Sequence, residues 1–286
     1  MANKKSIKKG EGRAATVSGR HSLKPKQEFW KKKQFILGII AAIAIVILVI
    51  IAITNPFFSP PATITADKYY KISDHDLLSN GSTGIYFISW YGCPIGATDS
   101  CALYYVMNST TNIYSHVEEH EAYNQDIYAN AAETEGQPGL LFNGSFSFQY
   151  HGKMATFYPL YMYNQTMTGT VNNAPIHGTL ESYGLSLINS TYPAGVAKMF
   201  NKYASDITYK GHLETTFIIT GPHGAYILNS FMYNPTGTLG SGTWTDNPST
   251  NTYQPYPPAT VMSEMGSDSA IISAANNFEK NLIAVE

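Results

Sequence analysis

Residues 35–54 read F-I-L-G-I-I-A-A-I-A-I-V-I-L-V-I-I-A-I-T, a run with no charged side chain and Thr54 as its one polar side chain. As a helix it is roughly 30 Å long, the thickness of a bilayer core. Every interior amide would be bonded within the segment, as lipid requires. A buried helix of a globular core rarely runs so far without a polar face. A cleaved signal peptide fits less well, because the apolar run is long and Thr54-Asn55-Pro56 is a poor cleavage site. A pilin-type leader lacks its small residue at the processing point, where Lys33 is followed by Gln34. The expectation is one uncleaved transmembrane helix over residues 35–54.

Charge orients that helix. The first 34 residues hold 11 Lys+Arg against Glu11 and Glu28, so the rest of the chain holds 7 of the 18 basic and 18 of the 20 acidic residues. Lys31, Lys32 and Lys33 abut the apolar run, which places the N-terminus in the cytoplasm. The domain plan that follows is a disordered basic tail over 1–34, the span over 35–54, a stalk over 55–66 and an extracytoplasmic domain over 67–286. The tail has almost nothing to bury and is drawn to anionic headgroups. Membrane retention accounts for it, and no nucleic-acid partner is expected.

The outer part is rich in Tyr, Asn, Ser, Thr and Gly and carries few charges. N-x-S/T sequons occur at Asn80, Asn108, Asn143, Asn164 and Asn189, which on an external domain are glycosylation candidates. Few ionisable groups also mean few protons exchanged on folding, hence a flat dependence of stability on pH.

Hydrophobic periodicity and turn residues set out the elements. Ile85 to Ser89 follows a Gly-Ser turn and is predicted as a buried strand. Thr98, Asp99 and Ser100 are predicted to cap a helix through Ala102, Leu103, Val106 and Met107. Two strands are expected around 141–148 and 155–163, then a helix through Val196, Met199, Phe200 and Tyr203. Thr216 to Thr220 and Ala225 to Ser230, divided by Gly221-Pro222-His223-Gly224, form a hairpin. A Gly-, Thr- and Pro-rich loop covers about 235–260. A last helix opens at Ser267-Asp268 and carries Ile271, Ala275, Phe278 and Leu282 on one face.

This order resembles the thioredoxin fold. Phe87 to Gly96 is similar to that fold's strand and redox turn, with Trp90 before Cys93-Pro94. Thr215-Thr216-Phe217-Ile218-Ile219 is similar to the strand that carries its cis-proline, with Thr215 at the proline's position. W-Y-G-C-P-I-G-A and the late G-P-H-G hairpin resemble an uncharacterised family of archaeal membrane-anchored proteins from heat- and acid-loving species, which is assigned a thioredoxin-like domain. The resemblance implies an α/β chain: a thioredoxin-like sheet flanked by helices, with insertions at 109–140 and 235–260, preceded by one N-terminal transmembrane helix.

Three readings of the two cysteines stand open. Cys93 near a helix start is a candidate nucleophile, since unpaired amides and the helix dipole favour the thiolate. Gly96 occupies the position of a second redox cysteine, and a non-proline cis bond at Thr215 would cost about 2.5–4 kcal/mol. Cys93 and Cys101 could instead form a disulfide, if the chain between them is loop; one helix would set them roughly 12 Å apart, too far to bridge. The third reading is two free structural thiols. His116-Val117-Glu118-Glu119-His120 matches H-x-x-E-H, in which His116 and His120 one helical turn apart hold zinc and Glu119 activates water; the bland alternative is a solvated helix face. No phosphate loop and no nucleophile elbow occurs.

The function expected is that of a single-pass, membrane-anchored protein with its domain outside the cell, acting in binding or envelope architecture, with an envelope protein or glycan as partner and no cofactor. The alternative is a thiol–disulfide oxidoreductase or isomerase using Cys93, with Cys101 as resolving thiol. A zinc hydrolase built on His116, Glu119 and His120 is the remote alternative.

Overall fold

A computed structural model describes residues 26–54, 58–122, 136–243, 245, 249–250 and 252–286. The chain forms two compact units, Met1–Phe57 and Phe58–Glu286. Residues 1–25 of the expected tail and 55–57 of the expected stalk lie outside the described residues.

The first unit holds helix α1, Lys26–Thr54, which begins well before residue 35 and takes in the lysine cluster. Among the described residues no helix is long and apolar enough to cross a membrane. This overturns the expected transmembrane helix 35–54. With it go the membrane as a partner, the membrane-anchored function, and the cytoplasmic and extracellular placement of the two ends.

The second unit is mixed α/β. Its first half runs β1 (Lys68–Ser73), β2 (Thr83–Ser89), α2 (Pro94–Asn108), β3 (Val117–Ala122), β4 (Gln137–Phe142), β5 (Phe146–Tyr150) and β6 (Lys153–Tyr161). Its second half runs α3 (Leu180–Thr191), α4 (Ala194–Lys202), β7 (Thr208–Tyr209), β8 (His212–Leu213), β9 (Thr216–Gly221), β10 (Gly224–Asn229), β11 (Gly240–Ser241), β12 (Gln254–Pro255), α5 (Pro258–Glu264) and α6 (Ser269–Val285). Six strands make the main sheet, in the order β1-β10-β9-β2-β6-β5. β2 pairs in parallel with β6 and antiparallel with β9. The pairs β3-β4, β7-β8 and β11-β12 are separate two-stranded additions.

Every residue of β2 is buried, and strand alternation explains how. Ile85 and Phe87 enter one apolar cluster with Leu103 of α2 and Phe278 of α6. Tyr86 and Ile88 point the other way, into a cluster with Ile188 of α3 and Val196 and Phe200 of α4. A strand covered on both faces needs a continuous apolar run, which Ile85-Tyr86-Phe87-Ile88 supplies. Burying one such side chain is worth about 1.5–3 kcal/mol, against about 0–1 kcal/mol for an exposed ion pair such as Lys71–Asp74. The fold therefore rests on the two apolar layers.

The hairpin at 216–229 forms as expected, with Gly221 opposite Gly224 and Pro222-His223 at the tip. Gly224 has φ +127° and a Cβ there would lie 2.4 Å from the Ser73 carbonyl, so only glycine fits. The last helix takes Asp268 as its N-cap, the carboxylate accepting from the amides of Ala270 and Ile271.

Three expectations shift. The strand expected around 141–148 is the end of β4, a turn and the start of β5. α2 starts at Pro94 rather than after Thr98–Ser100, because proline is preorganised for the first helical position and has no amide to leave unpaired. The His116–His120 segment is not one helix: a short 3-10 turn ends at His116 and β3 follows. What is shown is a mixed α/β fold with insertions; the transmembrane helix set before it fails.

Candidate functional site

β2 ends at Ser89, and a turn through Trp90, Tyr91 and Gly92 delivers Cys93 as the N-cap of α2. The Cys93 amide donates to the Trp90 carbonyl at 3.0 Å, and the Ala97 amide donates to the Cys93 carbonyl at 3.0 Å. Opposite stands Thr215, just before β9, its carbonyl accepting from the Ser230 amide at 3.0 Å. The Thr215 Oγ1 lies 3.0 Å from Cys93 Sγ and 2.8 Å from Ser89 Oγ. All three side chains are buried, Cys93 at 3 % exposure.

Burial pushes the Cys93 thiol up. The Thr215 hydroxyl and the backbone N–H groups of Gly96 and Ile95 pull it down, and the Glu214 carboxylate pushes it up. A Cβ placed on Gly96 would lie 2.2 Å from Ser89 Oγ and 3.0 Å from Thr215 Oγ1. The position of the missing second cysteine is thus already filled by the Ser89 side chain.

Cys101 is elsewhere. It lies within α2 and is fully buried, and both cysteines are free. Eight residues of helix separate two Cα atoms by roughly 12 Å, so the Cys93–Cys101 disulfide does not form. Burial drives the Cys101 pKa up to about 12, which leaves it no thiolate with which to resolve a mixed disulfide.

Beside the Cys93 turn lies a cleft of about 470 Å³, lined by Asp67, Ile95, Tyr209, Glu214 and the loop from Ser230 to Pro235. That loop is held from two sides. The Phe231 amide donates to Asp67 Oδ1 at 2.9 Å, and the Met232 amide to Asp99 Oδ1 at 2.8 Å. The Tyr233 hydroxyl donates to the Thr98 carbonyl at 2.8 Å. Asp99, expected as a helix cap, is instead a buried carboxyl inside α2, and burial raises its pKa well above the carboxylate range.

The histidine motif does not converge. His116 stacks on Phe146 with ring centroids 4.7 Å apart, and His120 Nε2 bonds the Tyr91 carbonyl. Glu119 is exposed, and as the strand neighbour of His120 it faces the opposite way. Burial lowers the His120 pKa. Among the described residues no group of three His, Cys, Asp or Glu side chains could hold a metal ion.

The sequon asparagines divide. Asn80, Asn143 and Asn189 are exposed and Asn108 is half-buried. Asn164 is buried at 9 % exposure, with its amide nitrogen bonded to Thr168 and Asn173; that amide is closed to a glycan.

A family model described as a domain of unknown function, DUF929, matches residues 68–284. The chain belongs to that family. No curated protein and no solved structure matches it. The DUF929 match takes in most of both core clusters, Cys93 and the cleft wall from Ser230 to Pro235, and it excludes α1. Membership of a membrane-anchored family is corrected accordingly: what is shown is DUF929, and among the described residues no helix is long and apolar enough to cross a membrane.

Two residues of this DUF929 site escape a reading of the sequence. Ser89 looks like the polar end of an apolar strand, and nothing marks it as the neighbour of residue 96. Asp99 stands in Thr-Asp-Ser, a good capping cluster, and draws the cap away from Cys93. The signal that points to Cys93 is Pro94, a residue favoured at the first position of a helix.

Proposed function

We propose that the chain carries out thiol–disulfide exchange through Cys93 as a lone nucleophile. The observation that carries the reading is the place of its sulfur: at the N-cap of α2, with the N–H groups of Ile95 and Gly96 and the Thr215 hydroxyl turned to it. Loss of solvent is the largest cause holding the thiol neutral. Any opening that lets water reach Cys93 weakens that cause while the three donors remain, which favours the thiolate.

The step balances without Cys101. The Cys93 thiolate attacks one sulfur of a partner disulfide; a new bond joins Cys93 to that sulfur, and the other leaves as a thiolate that takes a proton from water. A low-molecular-weight thiol then attacks the mixed disulfide and releases Cys93 as thiolate. The net change is an exchange: one partner sulfur leaves as thiol, the other ends in a disulfide with the external thiol, and Cys93 returns unchanged.

The test uses the folded full-length chain and a small aromatic disulfide, with adducts mapped by mass. The expected product is a mixed disulfide at Cys93 and none at Cys101, reversed by added thiol and abolished by Cys93→Ser. Labelling of Cys93 only as fast as Cys101, with both limited by global unfolding, would overturn the proposal.

A further inference from the structure

Ser89, Thr215 and Cys93 form an unbranched chain: Sγ to Thr215 Oγ1 at 3.0 Å, Thr215 Oγ1 to Ser89 Oγ at 2.8 Å, and Ser89 Oγ to the Trp90 carbonyl at 3.5 Å. Ser89 and Thr215 are fully buried, so water does not compete for their hydroxyls. A hydroxyl carries one proton and accepts through its lone pairs, so the chain can be filled in two directions. With Cys93 as thiol, the S–H donates to Thr215, Thr215 to Ser89 and Ser89 to the Trp90 carbonyl. With Cys93 as thiolate, Thr215 donates to the sulfur and Ser89 donates to Thr215. Reversal gives up the long bond to Trp90 and gains a charge-assisted one.

The ionisable groups acting on the sulfur leave little else to stabilise an anion. Glu214, from the loop before β9, disfavours it. Tyr161, at the end of β6, has its pKa raised by burial and by the Cys93 sulfur, so it stands by as a neutral phenol. His212 stands against Trp90, with ring centroids 5.9 Å apart. Stabilisation of the thiolate falls to neutral donors. The Ser89 side chain occupies the space a cysteine at residue 96 would need, so the hydroxyl pair and a second thiol exclude each other.

We propose that Ser89 and Thr215 form a hydroxyl relay that takes the place of a second thiol as hydrogen-bond donor to the Cys93 thiolate. They are positioning residues, and the proposal rests on the exchange reading above.

Thiolate absorbance against pH, with Cys93 assigned by mass-mapped alkylation, tests it in the full chain. Thr215→Val keeps the shape and removes the hydroxyl; alkylation of Cys93 at neutral pH should slow about tenfold, and the titration midpoint should rise. Thr215→Ser should restore both, and Ser89→Ala should shift the midpoint the same way by less. An unchanged midpoint in Thr215→Val, with thermal unfolding intact, would sink the relay even if exchange proceeds. A shifted midpoint without any mixed disulfide would keep the relay and sink the exchange reading. Should Thr215→Val disturb folding, the Ser89→Ala midpoint decides: unmoved, it overturns the relay.

Discussion

Asp99 shows how far one side chain can depart from its sequence neighbourhood. Its Oδ1 receives the Met232 amide, while Oδ2 has no hydrogen-bond partner among the described residues. Burial is the first cause of its raised pKa, and the nearby Asp67 adds to it. A carboxyl that holds its proton more tightly when folded contributes stability in full below the unfolded carboxyl pKa, about 3.9. That contribution is lost as pH rises through the raised folded value. Each unit of the difference is worth about 1.4 kcal/mol, or about 3–6 °C in Tm for a domain of this size. The Tm of Asp99→Asn, followed from pH 4 to 8, should therefore gain on the native chain as pH rises; parallel curves would refute this. Cys93 carries a local signal in Cys-Pro, and Thr215 is singled out only by the resemblance of its strand; neither signal brings the two side chains together. Ser89 carries no signal, since its role depends on a glycine that approaches only in three dimensions.

At the level of elements, strands covered on both faces were the easiest to read. Ile85 to Ser89 and the two arms of the late hairpin appear where apolar runs and turn residues place them. The His116–His120 segment went the other way, because charged residues without an apolar rhythm carry no period to separate strand from helix. The loop from Ser230 to Pro235 escaped notice too, as its anchors, Asp67 and Asp99, are distant in sequence. The Tyr233 hydroxyl ties this wall directly to the backbone of α2, at Thr98. Tyr233→Phe should cost about 1 kcal/mol, which multiplies an open population about fivefold. Amide exchange over 230–235 and native-state alkylation of Cys93 should both quicken by about that factor. Faster exchange with unaltered alkylation would show that the wall does not control access to the sulfur.

For the molecule as a whole, the strongest signal in the sequence was the one most corrected. An apolar run constrains the chain by its length alone, whereas among the described residues no helix is long and apolar enough to cross a membrane. The α/β character of the second unit was readable because its two apolar layers leave regular traces in the strands and in the last helix. Both core clusters lie within Phe58–Glu286. A chain starting at Phe58 should accordingly unfold in one cooperative step, with a Tm within about 2–4 °C of the full-length value. Loss of the transition, seen by calorimetry, would show that the first unit is needed for folding.

The close approach of Gly96 to Ser89 also bears on mutational history. A cysteine acquired at position 96 would set a Cβ 2.2 Å from the Ser89 oxygen, so that hydroxyl must turn away or be trimmed to admit it. Either change breaks the bond from Ser89 to Thr215. The one-cysteine and two-cysteine forms of the site are thus alternatives, and passing from one to the other gives up the hydroxyl pair.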